Sequence, residues 1–355
     1  MEAMFSCGRV AFAIITILCC FTSPAIACPL PERNLLLDFK AAVVDEYNTL
    51  TSWHGFNSCT WRGEFYVSLE SLSNLVSLEN LSLARMNISV NKEWGEVVGS
   101  LSNLQELSMS DCGLGGQIPN SLLKLTSLLH LDLSYNYLSA HIPAWFENVT
   151  GRLLSLDLSW NENFGGDISF IGQRKSSLSL TRIVLSGTAI KGRIPSAIWN
   201  ISCLEHLRLS DTRIEGEIPA SIGNLSSLQS LDLSDTRIEG EIPSAIGNVS
   251  SLKSLYLSDI SIESEFPVFI LNLSKLVELD LSYNMLTGVI PPSLDSLSSL
   301  VSLDLNANEL NGTIPSTISN LVNLRSLSLH SNSLSGLISL SVFDNLTSLD
   351  SLYLS

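Results

Sequence analysis

Leucines recur through most of this chain as L-x-x-L-x-L, and from Leu180 to Leu324 the phrase restarts every 24 residues without a slip. A fixed period of that length describes a stack of small units, none able to bury its apolar side alone, so it dictates a solenoid before any residue is given a role. Units start at Leu78, Leu104, Leu128, Leu153, Leu180, Leu204, Leu228, Leu252, Leu276, Leu300, Leu324 and Leu349. The spacing predicts an array over 67–355, with eleven complete units from residue 78 and a twelfth cut short.

Each letter of the unit has a physical task. The alternating leucines of L-x-L point to one side of a short strand and the residues between them to the other. Strands of successive units are expected to pair in parallel, giving a β-rich α/β solenoid. Its form would be a right-handed superhelix with one continuous parallel sheet on the concave side. Ile214 and Leu286 continue the core around the turn. Asn136, Asn161, Asn284, Asn308 and Asn332 fall where the chain leaves the strand, where a buried amide can bond otherwise unpaired backbone. Cys112, Thr188, Thr212 and Thr236 take the same slot. Gly216, Gly240, Gly288 and Gly312 allow the bend that follows, and the next Ile-Pro sends an apolar residue inward while fixing φ.

Residues 1–27 read as a secretory signal peptide: VAFAIITILCCF is an apolar run behind Arg9, and Ala25-Ile26-Ala27 offers an A-x-A cut. The run is short for a membrane span. Cleavage after Ala27 also puts Cys28 at the mature terminus, as in a bacterial lipoprotein, an alternative the residues leave open. Beyond the signal remain Cys28, Cys59, Cys112 and Cys203. None has C-x-x-C spacing and the five histidines are scattered, so no metal site is expected. Cys112 reads as a ladder residue rather than a reactive thiol, and Cys112 and Cys203 are both expected to stay reduced inside the array. Nine sequons, at Asn80, Asn87, Asn148, Asn200, Asn224, Asn248, Asn272, Asn311 and Asn345, point to glycosylation outside the cell. Asn148, Asn200, Asn224, Asn248 and Asn272 share one place in the unit with Asn320, which suggests a structural use for the side chain. A composition 45% hydrophobic and 15% charged excludes disorder, and a net charge of −16 argues against nucleic acid and anionic membranes.

The G-x-I-P wording of units such as LTGVIPPSLDSL resembles the plant-type leucine-rich repeat of receptor-like proteins and receptor kinases, across residues 28–355. CPLPERNLLLDFKAAVVDEYNTLTSWHGFNSCTWRG is similar to that family's amino-terminal cap, over 28–66. The resemblance implies a helix with Leu36, Phe39 and Val43 covering the first unit and a Cys28–Cys59 disulfide. The family's further cysteine after Trp-x-Gly is missing from WRGEFYV, so a second cap disulfide is not expected. NKEWGEVVGSLSNLQELSMSDCGLGGQIP resembles the opening units of receptor-like proteins in particular.

Two neighbouring units, 204–227 and 228–251, share 18 of 24 residues, including the doubled string DTRIEGEIP. Their differences of character are Glu205 against Gln229, His206 against Ser230 and Arg208 against Asp232, all at outward strand positions. Arg213, Glu215 and Glu217 recur unchanged as Arg237, Glu239 and Glu241, so free drift of exposed positions does not account for the pattern. The central concave face is therefore read as a ligand surface, with contacts at His130, Tyr135, Trp160, Arg182, Glu205, His206, Arg208 and Tyr256. Asp132, Asp157, Asp232, Asp280 and Asp304 form one column and are read as scaffold.

No G-x-S-x-G, H-E-x-x-H, phosphate loop or kinase motif set occurs, so no enzyme activity and no cofactor are expected. The reading is an extracellular recognition ectodomain for a peptide, glycan or protein. The resemblance implies a receptor-kinase co-receptor and a role in defence or development at the plasma membrane. The alternative is a secreted inhibitor of cell-wall-degrading enzymes, similar to polygalacturonase-inhibiting proteins. SLDSLYLS brings no cysteine cap and no membrane run, from which a C-terminally truncated receptor-like protein is expected.

Overall fold

The computed structural model describes residues 69–88, 93–171, 179–336 and 340–354, in a first body reaching Phe164 and a second beginning at Gly165. The signal, the cap with its Leu36, Phe39 and Val43, and the Cys28–Cys59 pair lie outside the described residues. The first body's main sheet has β1 (Asn80–Ser82), β2 (Glu106–Ser108), β3 (His130–Asp132) and β4 (Ser155–Asp157), parallel and paired in that order. The second body's has β5 (Arg182–Val184), β6 (His206–Arg208), β7 (Ser230–Asp232), β8 (Ser254–Tyr256), β9 (Glu278–Asp280), β10 (Ser302–Asp304), β11 (Ser326–Ser328) and β12 (Ser351–Tyr353), likewise parallel and sequential. Every strand begins two residues after a unit start read from the leucine period. Leu207 lies opposite Leu231 and Leu231 opposite Leu255, one turn of an α/β solenoid per strand.

Burial explains the register. Leu231 and Leu233 are both 0% exposed, on one side of the strand, as are Ile214 and Leu286 around the turn. On the return path Pro219, Pro243, Pro291 and Pro315 stand extended before short 3-10 turns, whose third residues Ile222, Ile246, Leu294 and Ile318 are buried. Each proline carbonyl accepts the N–H of that residue, so the ring fixes φ where no donor is needed. In the first body one return is a true helix, α1 (Trp94–Gly99). A Cβ at Gly95 would meet Pro119 Cγ at 2.2 Å and one at Gly99 would meet Ser121 Cβ at 2.7 Å, so both glycines serve close approach to the next turn.

The amide slot braces one turn to the next. Asn136 Oδ1 accepts from Cys112 N at 3.0 Å and Leu114 N at 2.9 Å, while its Nδ2 donates to the carbonyls of Met109, Leu133 and Ser134. Asn161, Asn284, Asn308 and Asn332 also reach back one turn, to the carbonyls of Leu133, Leu257, Leu281 and Leu305. Thr188, Thr212 and Thr236 do not: their hydroxyls donate only to Leu185, Leu209 and Leu233 in their own turns. Cys112 Sγ lies 2.9 Å from the Leu83 carbonyl, and burial pushes its thiol up to about 12, so it stays protonated in this slot.

One expectation changes and another holds in part. Cys203 does not lie inside the array but is exposed, because the residue before each unit's first leucine points away from the core, as Asn103, Ser127 and Lys275 also do. The shared Asn column has the expected structural use at two positions, where Asn200 Nδ2 donates to Ser196 O at 3.0 Å and Asn320 Nδ2 to Asp295 Oδ2 at 2.9 Å. Asn200, Asn224, Asn248, Asn272 and Asn320 are exposed, and at the last four it is the backbone carbonyl that closes the turn, accepting from Ser226, Ser250, Ser274 and Val322 N.

Asn136→Ala strands five buried hydrogen-bonding groups at once and is expected to cost ~3 kcal/mol or more, against about 1 kcal/mol for Thr212→Ala, in urea denaturation. A maleimide reagent on the native protein is expected to label Cys203 and to spare Cys112, by peptide mapping.

Candidate functional site

In the second body, β5 to β9 turn alternate side chains away from the leucines. The register sets Arg182, His206, Ser230, Ser254 and Glu278 in one row and Val184, Arg208, Asp232, Tyr256 and Asp280 in the next. Glu205, Gln229 and Lys253 stand one residue before their strands. These side chains are half-buried for the most part, with Lys253 exposed and Ser230 and Val184 covered.

Asp232 and Glu278 on this face are already engaged. Asp232 accepts Ser234 N at 3.2 Å on Oδ1 and Ser210 Oγ at 2.9 Å on Oδ2. Glu278 Oε2 receives Ser254 Oγ at 2.9 Å and the Tyr256 hydroxyl through a very short bond. Lys253 Nζ donates to Gln229 Oε1 at 2.9 Å. Arg208 has no ion-pair partner among the described residues, and its Nε, like His206 Nδ1, is buried without a hydrogen-bond partner. Burial holds His206 below its ordinary value, Arg182 and Arg208 push it further down, and Glu205 opposes them. Burial and the Glu278 bond raise Tyr256 to about 12. This arrangement can take an anionic or acceptor-rich group against Arg182, Arg208 and Lys253. Tyr256 is a fixed wall of the face rather than a free anchor.

The column Asp132, Asp157, Asp232, Asp280 and Asp304 caps the turn after the strand, its Oδ1 accepting the N–H of Ser134, Ser159, Ser234, Ser282 and Asn306. The eight expected contacts divide. Arg182, Glu205, His206, Arg208 and Tyr256 come together on β5 to β8 of the second body, while His130 opens β3 in the first, exposed. Tyr135 and Trp160 are not on strands. They sit three residues past β3 and β4, at φ 54° and 55°, stacked with ring centroids 5.9 Å apart and planes at 24°.

That turn position recurs. Arg85, Asp111, Tyr135, Trp160, Gly187, Asp211, Asp235, Asp259, Tyr283, Ala307 and Ser331 all hold the left-handed conformation, at φ between 51° and 66°. Non-glycine residues pay about 1–2 kcal/mol for it, least for Asp and Asn and most for bulky side chains. Three consecutive turns fill it with Asp211, Asp235 and Asp259, and Asp235 titrates above the usual carboxylate range through burial and then the like charges of Asp211 and Asp259. The slot lies outside the leucine pattern, and only a tally of the eighth residue of each unit would have exposed it.

Family models describing leucine-rich repeats match residues 103–125, 127–149, 164–287 and 298–355, and one describing the leucine-rich repeat N-terminal domain matches 29–63. Together these spans cover well over half of the chain. It belongs to the leucine-rich repeat family. Its curated relatives include plant receptor-like proteins. It is similar to receptor-like protein EIX1 of Solanum lycopersicum, 38% identical over 103 residues, which is 27% of this chain and 10% of that protein. Among solved structures this leucine-rich repeat chain resembles a TDR receptor, with a TM-score of 0.69 at 30% identity over 80% of this chain and 48% of the other. It also resembles the plant peptide hormone receptor RGFR1 in complex with RGF2, with a TM-score of 0.59 at 28% identity over 81% and 52%. The chain spans less than a fifth of the length of the curated relatives it matches.

The Asp235 shift fixes the sign of one pH effect. A carboxyl whose folded value is raised contributes stability that is present below about pH 4 and is lost as pH rises through the folded value. Asp235→Asn is therefore expected to melt higher than the parent at pH 7, with the gap narrowing below about pH 4, read by calorimetry across pH.

Proposed function

We propose that this chain is the extracellular recognition part of a plant receptor-like protein, not an enzyme, which takes a peptide, glycan or protein ligand on the β5–β9 face. It works through a receptor-kinase partner, in defence or development, at the outer side of the plasma membrane. The observation that carries the reading is the gathering of His206 and Arg208, at positions where two otherwise near-identical turns part company, beside Arg182 on the preceding strand. On a chain of net charge −16 this is a local cationic face, with Arg208 Nε and His206 Nδ1 buried and unpaired. The resemblance to ectodomains such as RGFR1, solved with a peptide hormone, supports a ligand of that kind.

The sequons fit a secreted protein. Asn80, Asn87, Asn200, Asn224, Asn248, Asn272, Asn311 and Asn345 are exposed, while Asn148 is half-buried with its Oδ1 enclosed and unpaired. Glycans are proposed at the eight exposed positions.

The test uses the immobilised chain and an extracellular ligand that it captures. Arg182→Ala, His206→Ala and Arg208→Ala combined are expected to weaken binding by tenfold or more, with little change in melting temperature because none of the three enters the leucine core. Arg213→Ala, Glu215→Ala, Arg237→Ala and Glu239→Ala, all exposed on or just past the short outer strands Arg213–Gly216 and Arg237–Ile238, are expected to leave binding within about twofold. Tyr256 is left out because its bond to Glu278 makes its loss a structural change. Loss of binding in the flank variant alone would overturn the assignment of the face.

A further inference from the structure

The left-handed slot of the first body carries a second surface, argued independently of the β5–β9 face. Three successive turns place Asp111, Tyr135 and Trp160 in this slot, tied by the backbone bonds Asp111 N to Ser134 O at 3.0 Å and Tyr135 N to Ser159 O at 2.8 Å. Neighbouring strands of a sheet are about 4.8 Å apart, so the three side chains rise from adjacent rungs. Two residues further along the same turns stand Tyr137 and Glu162.

Three features separate this patch from ordinary surface. Tyr135 is 56% exposed, Trp160 42% and Tyr137 76%, a concentration of aromatic area that the fold does not use for its core. The two stacked rings occupy a backbone conformation that disfavours bulky side chains; most other turns fill it with Asp, Gly, Ala or Ser, and Arg85 and Tyr283 hold it without a second aromatic ring on the next turn. Two exposed carboxylates accompany the rings, Asp111 in the same slot one turn earlier and Glu162 two residues past Trp160, and neither has an ion-pair partner among the described residues. Aromatic faces bordered by unneutralised acids attract a delocalised cation, which spreads over the ring quadrupole while its N–H groups reach the carboxylate.

We propose that Asp111, Tyr135, Trp160 and Glu162 form a receptor site for an arginine side chain of a basic peptide or protein segment. The guanidinium lies against the stacked pair, Trp160 and Tyr135 supply the faces, and Asp111 and Glu162 supply the charge. Tyr137 extends the surface under the aliphatic stem.

The test is a titration of the whole secreted chain with the peptide acetyl-Gly-Arg-Gly-Arg-Gly-amide and with its citrulline counterpart, which keeps shape and loses charge. The arginine peptide is expected to bind saturably and to weaken several-fold between 50 and 300 mM salt, and the citrulline peptide to bind at least tenfold more weakly. Tyr135→Asn with Trp160→Asn is expected to remove binding without lowering the melting temperature, since Asn accepts the left-handed conformation. Asp111→Asn with Glu162→Gln is expected to weaken binding several-fold while leaving the ring stack intact. Equal affinity for the citrulline peptide would overturn the proposal. So would a neutral oligosaccharide such as cellohexaose binding in a way that Trp160→Asn abolishes and the acid variants do not touch, since that assigns the platform to sugar rings. A lowered melting temperature in the double Asn variant, with peptide binding retained, would make the stack structural and sink the idea as well.

Discussion

Each turn must leave the sheet without burying an unpaired peptide group. The leucines of L-x-L draw the strand into the core, and the chain then reverses within a few residues, where no strand partner exists for its N–H and C=O groups. Asn136, Asn161, Asn284, Asn308 and Asn332 resolve this with one planar amide that donates to carbonyls of two turns while its oxygen accepts N–H groups of the turn before. The left-handed residue just ahead of the slot is the geometric partner of this arrangement, since it aims the amide inward. Unit length, strand register and the two rows of outward side chains all follow from that corner.

The scaffold was legible because burial enforces it. A leucine of the L-x-L pair cannot move by one residue without turning outward, so its spacing in the chain transcribes the strand positions, and all twelve main-sheet strands lie where the period puts them. Of the candidate face, His206 and Arg208 were read from the duplicated units, and the register sets them on β6 beside Arg182 of β5, with Tyr256 two strands further on at β8. What was not legible depends on dihedral angles and on partners rather than on residue type. Nothing in the letters Tyr135 and Trp160 reveals a left-handed backbone or a ring stack, and nothing in Tyr256 reveals that its hydroxyl is held by Glu278. Cys203 was misplaced because the residue before a core leucine resembles its neighbours in sequence while facing the other way.

The two surfaces differ in how they are built. On the β5–β9 face polarity comes from cations set among acids that are satisfied elsewhere, so the potential is local and survives an overall charge of −16. In the first body it comes from aromatic faces rimmed by acids, which follow the sign of the chain as a whole. One repeat thus presents opposite chemistries from two kinds of position, the pleat and the corner, with the leucine core indifferent to either.

The threonines at 188, 212 and 236 have a mechanical consequence. Where Asn fills the slot, each turn is cross-braced to its predecessor through a rigid amide. Where Thr fills it, and where Ile260 follows, the turns are held together by strand hydrogen bonds and leucine contacts without that strut. Such turns resist sliding about as well as their neighbours but resist tilting less. The elastic give of the second body therefore concentrates under β5 to β8, beneath Arg182, His206, Arg208 and Tyr256. A ligand taken there, as proposed, would meet turns that lack this strut, while Asn284, Asn308 and Asn332 brace the following ones.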